Sequence, residues 1–349
     1  MTAVYVGWTG RGNLGDDAIA DALLHHIPDV APWHVPTDPT AFAARLLAGA
    51  GVGARRRSVL LGGGTVVGRR NWRMLLAATS TLLARKRPWH LIGIGVEDPA
   101  FQGRASFSDR EELRRWVDIC GWFERITVRG PRSQELLASV GVASEVVGDP
   151  ALLHAPIGPV EPKERLLGLN LGFGDDLWGH DHDRVIDESA WLVRKLVGDG
   201  WSARLLVINL KDLPFATACV ERAGVDAEIR IATTVSDYME GVADCTVLVA
   251  ERLHALVLGA AAGVPLVGLE YQPKCADFLA SVGSVERSLR TDCVTSAALI
   301  ELVRELASNR EAESALLTTH VDALRESLLE EVAWIRNRLS ASDIVGSTP

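Results

Sequence analysis

Short runs of apolar residues alternate along this chain with longer stretches whose apolar positions recur every three or four residues. The first pattern is that of strands buried on both faces, the second that of helices with one buried face. Val4–Gly7, Ser58–Leu61, Trp89–Gly93, Arg125–Val128 and Glu145–Val147 read as strands. Between them Asp17–His26, Asn71–Arg85, Asp109–Gly121 and Arg132–Val140 read as helices. Such alternation calls for a parallel sheet covered by helices on both faces. It stops at His154–Lys163 (HAPIGPVEPK), where three prolines in ten residues mark a linker. It restarts with strands at Leu166–Leu171, Arg204–Ile208, Ile229–Ile231, Thr246–Val249 and Leu266–Leu269. The intervening helices are Arg184–Val197, Phe215–Arg222, Val235–Val242 and Leu253–Ala262, and a long helix follows over about Glu311–Leu339. The expected fold is α/β, with two doubly wound Rossmann-like domains (1–155 and 164–339) facing a cleft and a polar, flexible tail at 340–349.

Composition supports this picture. A chain of 349 residues suits roughly two domains, and 48% apolar content supplies their cores. The net charge of −9 argues against nucleic acid or an anionic membrane as the main partner. An anionic small molecule in a locally basic cleft remains compatible with it. The longest uncharged apolar run, Ala255–Leu269, contains Gly259, Gly263 and Pro265 and is too short to span a bilayer, so no membrane span is expected. The segment MTAVYVGWTG does not resemble a secretory leader. Five widely spaced cysteines without a CxxC read as reduced, buried thiols of a cytoplasmic protein. No metal is expected: Asp175, Asp176 and His180–Asp183 match no ligand template and read as a solvated loop.

Ligands of doubly wound sheets sit beyond the carboxyl ends of the strands. Five segments carry chemistry there. Gly7–Asp17 (GWTGRGNLGDD) enters the first helix, and Asp16 or Asp17 is placed to cap it. Gly10, Gly12 and Gly15 give a G-x-G-x-x-G match, but acidic residues at the helix start oppose a pyrophosphate. Asn13, Asp16 and Asp17 are instead suited to the hydroxyls of a polar ligand. Gly62-Gly63-Gly64-Thr65 lacks the Lys-Ser/Thr of a phosphate loop, so its glycines admit either a ligand or a neighbouring helix. Arg129, ending a strand, is either an anion ligand facing the cleft or a member of a surface ion pair. In Glu251-Arg252-Leu253-His254 a guanidinium and an imidazole open a very apolar helix. Arg252 would reinforce anion binding there. His254 is either an acid–base group or a hydrogen-bonded core histidine. Lys274, one of five lysines, lies in the adjacent loop and adds charge to the same place.

These segments resemble the polysaccharide pyruvyl transferase family. The carriers are GNLGDDAI (Gly12–Ile19), GGGT, VRGPRS, VVGDPALL (Val146–Leu153) and, most specifically, ERLHALVLGAAAGVPLVGLEYQPKCADFL (Glu251–Leu279). The resemblance implies a GT-B-like fold and transfer of the enolpyruvyl unit of phosphoenolpyruvate onto two hydroxyls of a sugar, giving a pyruvate ketal and phosphate. It implies that Arg129, Arg252 and Lys274 bind the donor and that His254 is catalytic. Asn13, Asp16, Asp17, Gly63, Gly64 and Thr65 would fall on the acceptor side. It implies no cofactor, since phosphoenolpyruvate enters as co-substrate. The acceptor would be a sugar, glycolipid or glycan of cell-surface polysaccharide biosynthesis, with peripheral contact to a lipid-linked form. Two places depart from the family pattern: Gly130 stands where an acidic residue is usual, and Gly172-Phe173-Gly174 stands where many members carry an arginine. The competing readings are a GT-B glycosyltransferase using a nucleotide sugar, a non-catalytic binding homologue and, third, a dehydrogenase.

Overall fold

The computed structural model describes residues 3–9, 12–34, 58–82, 89–101, 109–154, 158, 160–172 and 177–345. Within residues 1–154 the strands are β1 (Ala3–Gly7), β2 (Val30–His34), β3 (Ser58–Gly62), β4 (Thr65–Val67), β5 (Trp89–Ile92), β6 (Gly95–Val96), β7 (Thr127–Val128) and β8 (Glu145–Val146). The helices are α1 (Leu14–His26), α2 (Arg70–Leu82), α3 (Arg110–Arg115), α4 (Val117–Cys120) and α5 (Pro131–Ala138), followed by a 3-10 turn over Pro150–Leu153. A parallel sheet runs β2-β1-β3-β5, with Ala3 opposite both Val30 and Ser58, and Val59 opposite Trp89. The short pairs β4–β6 and β7–β8 extend this layer through a bridge between Ile94 and Val128.

The second half holds β9 (Leu166–Asn170), β10 (Ser202–Val207), β11 (Glu228–Ile231), β12 (Val247–Ala250), β13 (Leu266–Glu270) and β14 (Ser288–Arg290). Its helices are α6 (His182–Gly198), α7 (Leu213–Ala223), α8 (Val235–Ala243), α9 (Leu253–Ala261), α10 (Pro273–Ser281), α11 (Ser296–Ser308) and α12 (Arg310–Val345). All strands are parallel in the order β11-β10-β9-β12-β13-β14, so the winding reverses between β9 and β12. In the first sheet it reverses between β1 and β3. These two reversal points hold the site.

The halves share a core. One apolar cluster joins Ile19, Leu23 and Leu60 of the first half to Leu256, Leu258, Leu328 and Ile335 of the second. Helix α12 supplies much of the join. It buries Leu328, Val332, Ile335 and Leu339 along one face and crosses back to the first half. There Arg325 donates through Nε to the Leu152 carbonyl (2.9 Å), Glu331 meets Arg125 (3.4 Å), and Trp334 packs edge-on against His90.

The structure departs from several expectations. The last helix runs beyond Leu339 into the segment read as a frayed tail, as far as Val345; 346–349 lie outside the described residues. The helix expected over Asp109–Gly121 is two short helices that break at Trp116, which is itself buried. The strand Val30–His34 is not among the expected ones; it carries Pro32 and lies at the edge of the described sheet, where a missing N–H is tolerated. Asn13, not Asp16 or Asp17, caps α1: its Oδ1 accepts from Gly15 N (3.4 Å), and both aspartates fall in the first turn. Of the five thiols Cys293 is exposed, against the expectation that all are buried.

Candidate functional site

In the second half, Asn170 at the end of β9 organises the turn that follows β12. Its carbonyl accepts from Glu251 N (2.9 Å) and its Oδ1 from Arg252 N (3.1 Å), while its Nδ2 donates to the Leu206 carbonyl (2.7 Å). Fully buried, it holds three parallel strands in register at the reversal point and fixes where α9 begins. Arg252 is the N-cap of α9, and every residue from Leu253 to Ala261 is buried. Its guanidinium grips the buried Asp212 through Nε (3.0 Å) and Nη2 (2.5 Å). This paired geometry orients a cation whose side chain remains 16% exposed. Glu251 accepts from Gly172 N (2.7 Å), and burial raises its carboxyl to about 7. The space beyond Gly172 is filled by Arg252 Nε (3.2 Å) and the Glu251 carboxyl carbon (3.4 Å), so a side chain there would crowd both.

In the first half, the loops after β1 and β3 meet this turn. Leu14 N donates to the Ile208 carbonyl (3.3 Å) across the two halves. Gly15 faces His254 so closely that a Cβ at this position would overlap the imidazole at Nδ1, Cγ and Cβ. A motif from each half is therefore needed to make one contact. Gly63, with φ +57°, lets Ile19 of α1 pack against the loop; this is the helix-packing reading of the glycines. Gly64 and Thr65 instead line the cavity.

That cavity, of about 160 Å³, brings together Asn13, Asp16, Gly64 and Thr65 with Arg252, His254 and Lys274. Arg69, Trp8 and Tyr271 complete the polar and aromatic wall. Burial is the main influence that lowers the basicity of His254; Asp149 and Asp16 oppose it, whereas Arg129 and Lys274 reinforce it. Its Nε2 lies 3.9 Å from Asp149 Oδ2. Asp149 is fully buried, caps the 3-10 turn through Ala151 N (3.0 Å), and stands 3.6 Å from Arg129 Nη1. Burial raises the Asp16 carboxyl, against the pull of His254, the hydrogen bond from Asn13 (2.5 Å) and Lys274. Lys274 rests over the Tyr271 ring (4.7 Å), and burial followed by the charge of Arg69 pushes its ammonium down to about 8. Arg69 itself is held by Glu97 (2.7 Å).

Two sequence-level expectations need correction. Arg129 directly follows β7 but does not face the cleft; it is fully buried, donates through Nη2 to Thr65 (3.1 Å) and lies behind the cavity wall. Asp17 and Gly63 do not line the cavity either. Arg129 and Asp149 form a buried ion pair, so removing one charge strands the other. Arg129→Met should cost about 3–5 kcal/mol of stability, read as a lower urea midpoint with an unchanged slope. A midpoint equal to wild type would show that solvent already compensates both charges.

Arg69, Asp149, Asn170 and Asp212 were not singled out from the sequence. Asp149 stood inside the quoted VVGDPALL segment. Arg69 follows β4, a strand too short to register as an apolar run. No local signal marked Asn170 or Asp212, because each acts on a partner far along the chain.

The two halves, each doubly wound and facing one cleft, form a GT-B arrangement. The Anabaena protein HepE in complex with UDP-glucose shares this fold at a TM-score of 0.55 and 13% identity, with 100% of each chain covered. A putative UDP-N-acetylglucosamine 2-epimerase from Listeria monocytogenes aligns at 0.59 and 10% identity over 91% of each chain. A variant of Os79 from O. sativa in complex with UDP aligns at 0.59 and 10% identity, over 97% of this chain and 100% of that one. At such identities the likeness is one of fold alone. No curated protein sequence matches the chain. Residues 13–273, which run from the cap of α1 to the start of α10 and take in the cavity wall from Asn13 to Tyr271, match the model of the polysaccharide pyruvyl transferases. The chain belongs to the polysaccharide pyruvyl transferase family.

Proposed function

We propose that the protein transfers the enolpyruvyl unit of phosphoenolpyruvate onto two hydroxyls of one sugar or glycan acceptor, forming a pyruvate ketal and releasing phosphate. The observation that carries this reading is the convergence of Arg69, Arg252 and Lys274 on one cavity beside His254. A small, highly charged anion needs several cations in a partly desolvated site. Arg252 and Lys274 hold the carboxylate and phosphate, with Arg69 across the cleft. Arg129 acts from behind the wall, through Thr65 and Asp149. On the acceptor side, the Trp8 ring and the amide and carboxyl of Asn13 and Asp16 suit the apolar face and hydroxyls of a sugar.

In the proposed reaction a proton reaches C3 of the donor and C2 becomes oxocarbenium-like. One hydroxyl attacks C2, the C2–O bond to phosphate breaks, and the second hydroxyl closes the ketal. Of the two hydroxyl protons lost, one ends in the new methyl group and the other on phosphate. His254, held neutral by burial and flanked by Asp149 and Asp16, is the group placed to relay them. Phosphoenolpyruvate is consumed as co-substrate. We place the reaction in the cytoplasm, on a sugar, glycolipid or glycan precursor of a cell-surface polysaccharide. Among the described residues no helix is long and apolar enough to cross a membrane, so a lipid-linked acceptor would be met peripherally.

The test is a thermal shift with phosphoenolpyruvate, UDP and UDP-glucose on wild type and Lys274→Met. Among the described residues Lys274 forms no salt bridge, and its ammonium rests over the Tyr271 ring. Stabilisation of the wild type by phosphoenolpyruvate, lost in the variant, supports the reading. A response to the UDP ligands alone replaces it with nucleotide-sugar transfer.

A pH dependence follows. The Lys274 ammonium loses its proton near pH 8 rather than near pH 10.5, so its charge is present below that pH and lost above it. KM for phosphoenolpyruvate should rise as pH increases through 8, and Lys274→Arg, which keeps its charge, should remove that limb. A flat KM from pH 7 to 9 would take Lys274 out of donor binding.

A further inference from the structure

Asp277 is a buried carboxylate of the second half whose hydrogen bonds all reach into the first. Its Oδ1 accepts from the backbone N–H groups of Arg132 (2.9 Å) and Ser133 (3.2 Å), the first free donors of α5. Its Oδ2 accepts from the Ser133 hydroxyl (2.6 Å), which in turn accepts from Val96 N (3.0 Å). Helix α5 has no side-chain cap of its own, because its N-cap residue is Gly130. The place where a side chain at 130 would stand is already filled by the carboxylate and the backbone carbonyl of Asp277. One half thus supplies the cap that the other lacks, and the missing Cβ at 130 lets α10 approach closely enough to supply it. Asp277 lies one helical turn beyond Lys274, and α5 begins two residues beyond Arg129.

We propose that Asp277 is a positioning residue: by capping α5 from the opposite half, it fixes the depth at which Lys274 enters the cavity. Side chains one turn apart share a helix face, so a shift of Asp277 carries Lys274 with it. Burial, followed by the charge of Arg69, lowers the basicity of the ammonium, so that loss reports how deeply it is held. The bearing on donor affinity rests on the function proposed above; the bearing on Lys274 itself does not.

Two independent changes test the idea. Asp277→Asn keeps the shape of the side chain and weakens the cap by removing its charge. Gly130→Ala alters neither Asp277 nor Lys274 chemically, but its new Cβ pushes α10, which carries both, outward. In each, the pH dependence of Lys274 labelling by an amine-reactive reagent, followed by mass spectrometry, should move toward higher pH than in wild type, as the ammonium regains solvent. KM for phosphoenolpyruvate should rise about tenfold with kcat little changed, the loss expected for one charge-assisted contact. A cap that serves only stability would lower the melting temperature and leave the labelling curve of the folded protein where it was. Unchanged labelling in both variants overturns the proposal. If Asp277→Asn does not fold, Gly130→Ala decides alone. If the wild type does not use phosphoenolpyruvate, the proposed function fails while the labelling curves still judge the role of Asp277.

Discussion

Replacing His254 by alanine should lower kcat about 10²–10⁴-fold, the usual worth of a positioned acid–base group, and leave KM for phosphoenolpyruvate within a few-fold of wild type. The split follows from the geometry. The charges assigned to the donor sit on Arg69, Arg252 and Lys274, whereas the buried His254 is suppressed in basicity and so carries little charge at neutral pH. A neutral imidazole contributes little to holding an anion but is ready to accept a proton. Asp149, 3.9 Å from its Nε2, stabilises the ring once it is protonated. Steady-state kinetics with varied donor and saturating acceptor make the distinction. An unchanged kcat would move proton transfer elsewhere, and Asp16 is the next carboxyl on the cavity wall. A raised KM at constant kcat would make His254 a donor ligand instead.

Gly15→Ala should be nearly as damaging, although it touches no substrate. Glycine to alanine inside a helix ordinarily stabilises by up to about 1 kcal/mol. Here the sign reverses, because the new methyl group would overlap the His254 ring. Overpacking of this kind costs about 1–3 kcal/mol, which outweighs the gain in propensity. The ring cannot yield freely, since Leu253 and Ala255 on either side of it are buried. Either the imidazole turns or α1 moves away from α9. A displacement of even 1 Å from a reactive geometry costs about 10²-fold. The expected result is therefore a lower melting temperature together with a kcat down by about that factor. A variant more stable than wild type and fully active would mean that α1 and α9 separate at no cost, and would remove Gly15 from the account of the site.

The strand and helix pattern was legible because periodicity is a local property. Val4–Gly7 and, after Ser58, Val59–Leu61 are apolar runs since both faces of a parallel strand are covered. Leu253–Ala262 is apolar apart from His254, and nearly all of it is the buried helix α9, packed between the sheet and neighbouring helices. The rule that ligands gather at the carboxyl ends of strands then selected Asn13, Asp16, Gly64, Thr65, Arg252, His254 and Lys274, which share one cavity wall. The same rule led astray at Arg129. Ending a strand says where a side chain starts but not which neighbours close over it, and here Thr65 and Asp149 do so.

What the amino-acid order determined by itself was most of the longer strands and helices, their parallel winding and the loops that carry charge. These depend on spacings of two to four residues and on glycines and prolines whose backbone preferences act on the spot. Only the tertiary structure decided the partners. Asp212 lies 40 positions from Arg252, and Asp277 lies 144 from Ser133. Gly15 meets His254 from the opposite half of the chain. A buried charge must be paired wherever the packed fold happens to offer a partner, and no local pattern encodes that meeting. The same holds for the long helix. Its existence over about Glu311–Leu339 was legible in the sequence, but its return to clamp the first half through Arg325, Glu331 and Trp334 became visible only once both halves had formed a common core.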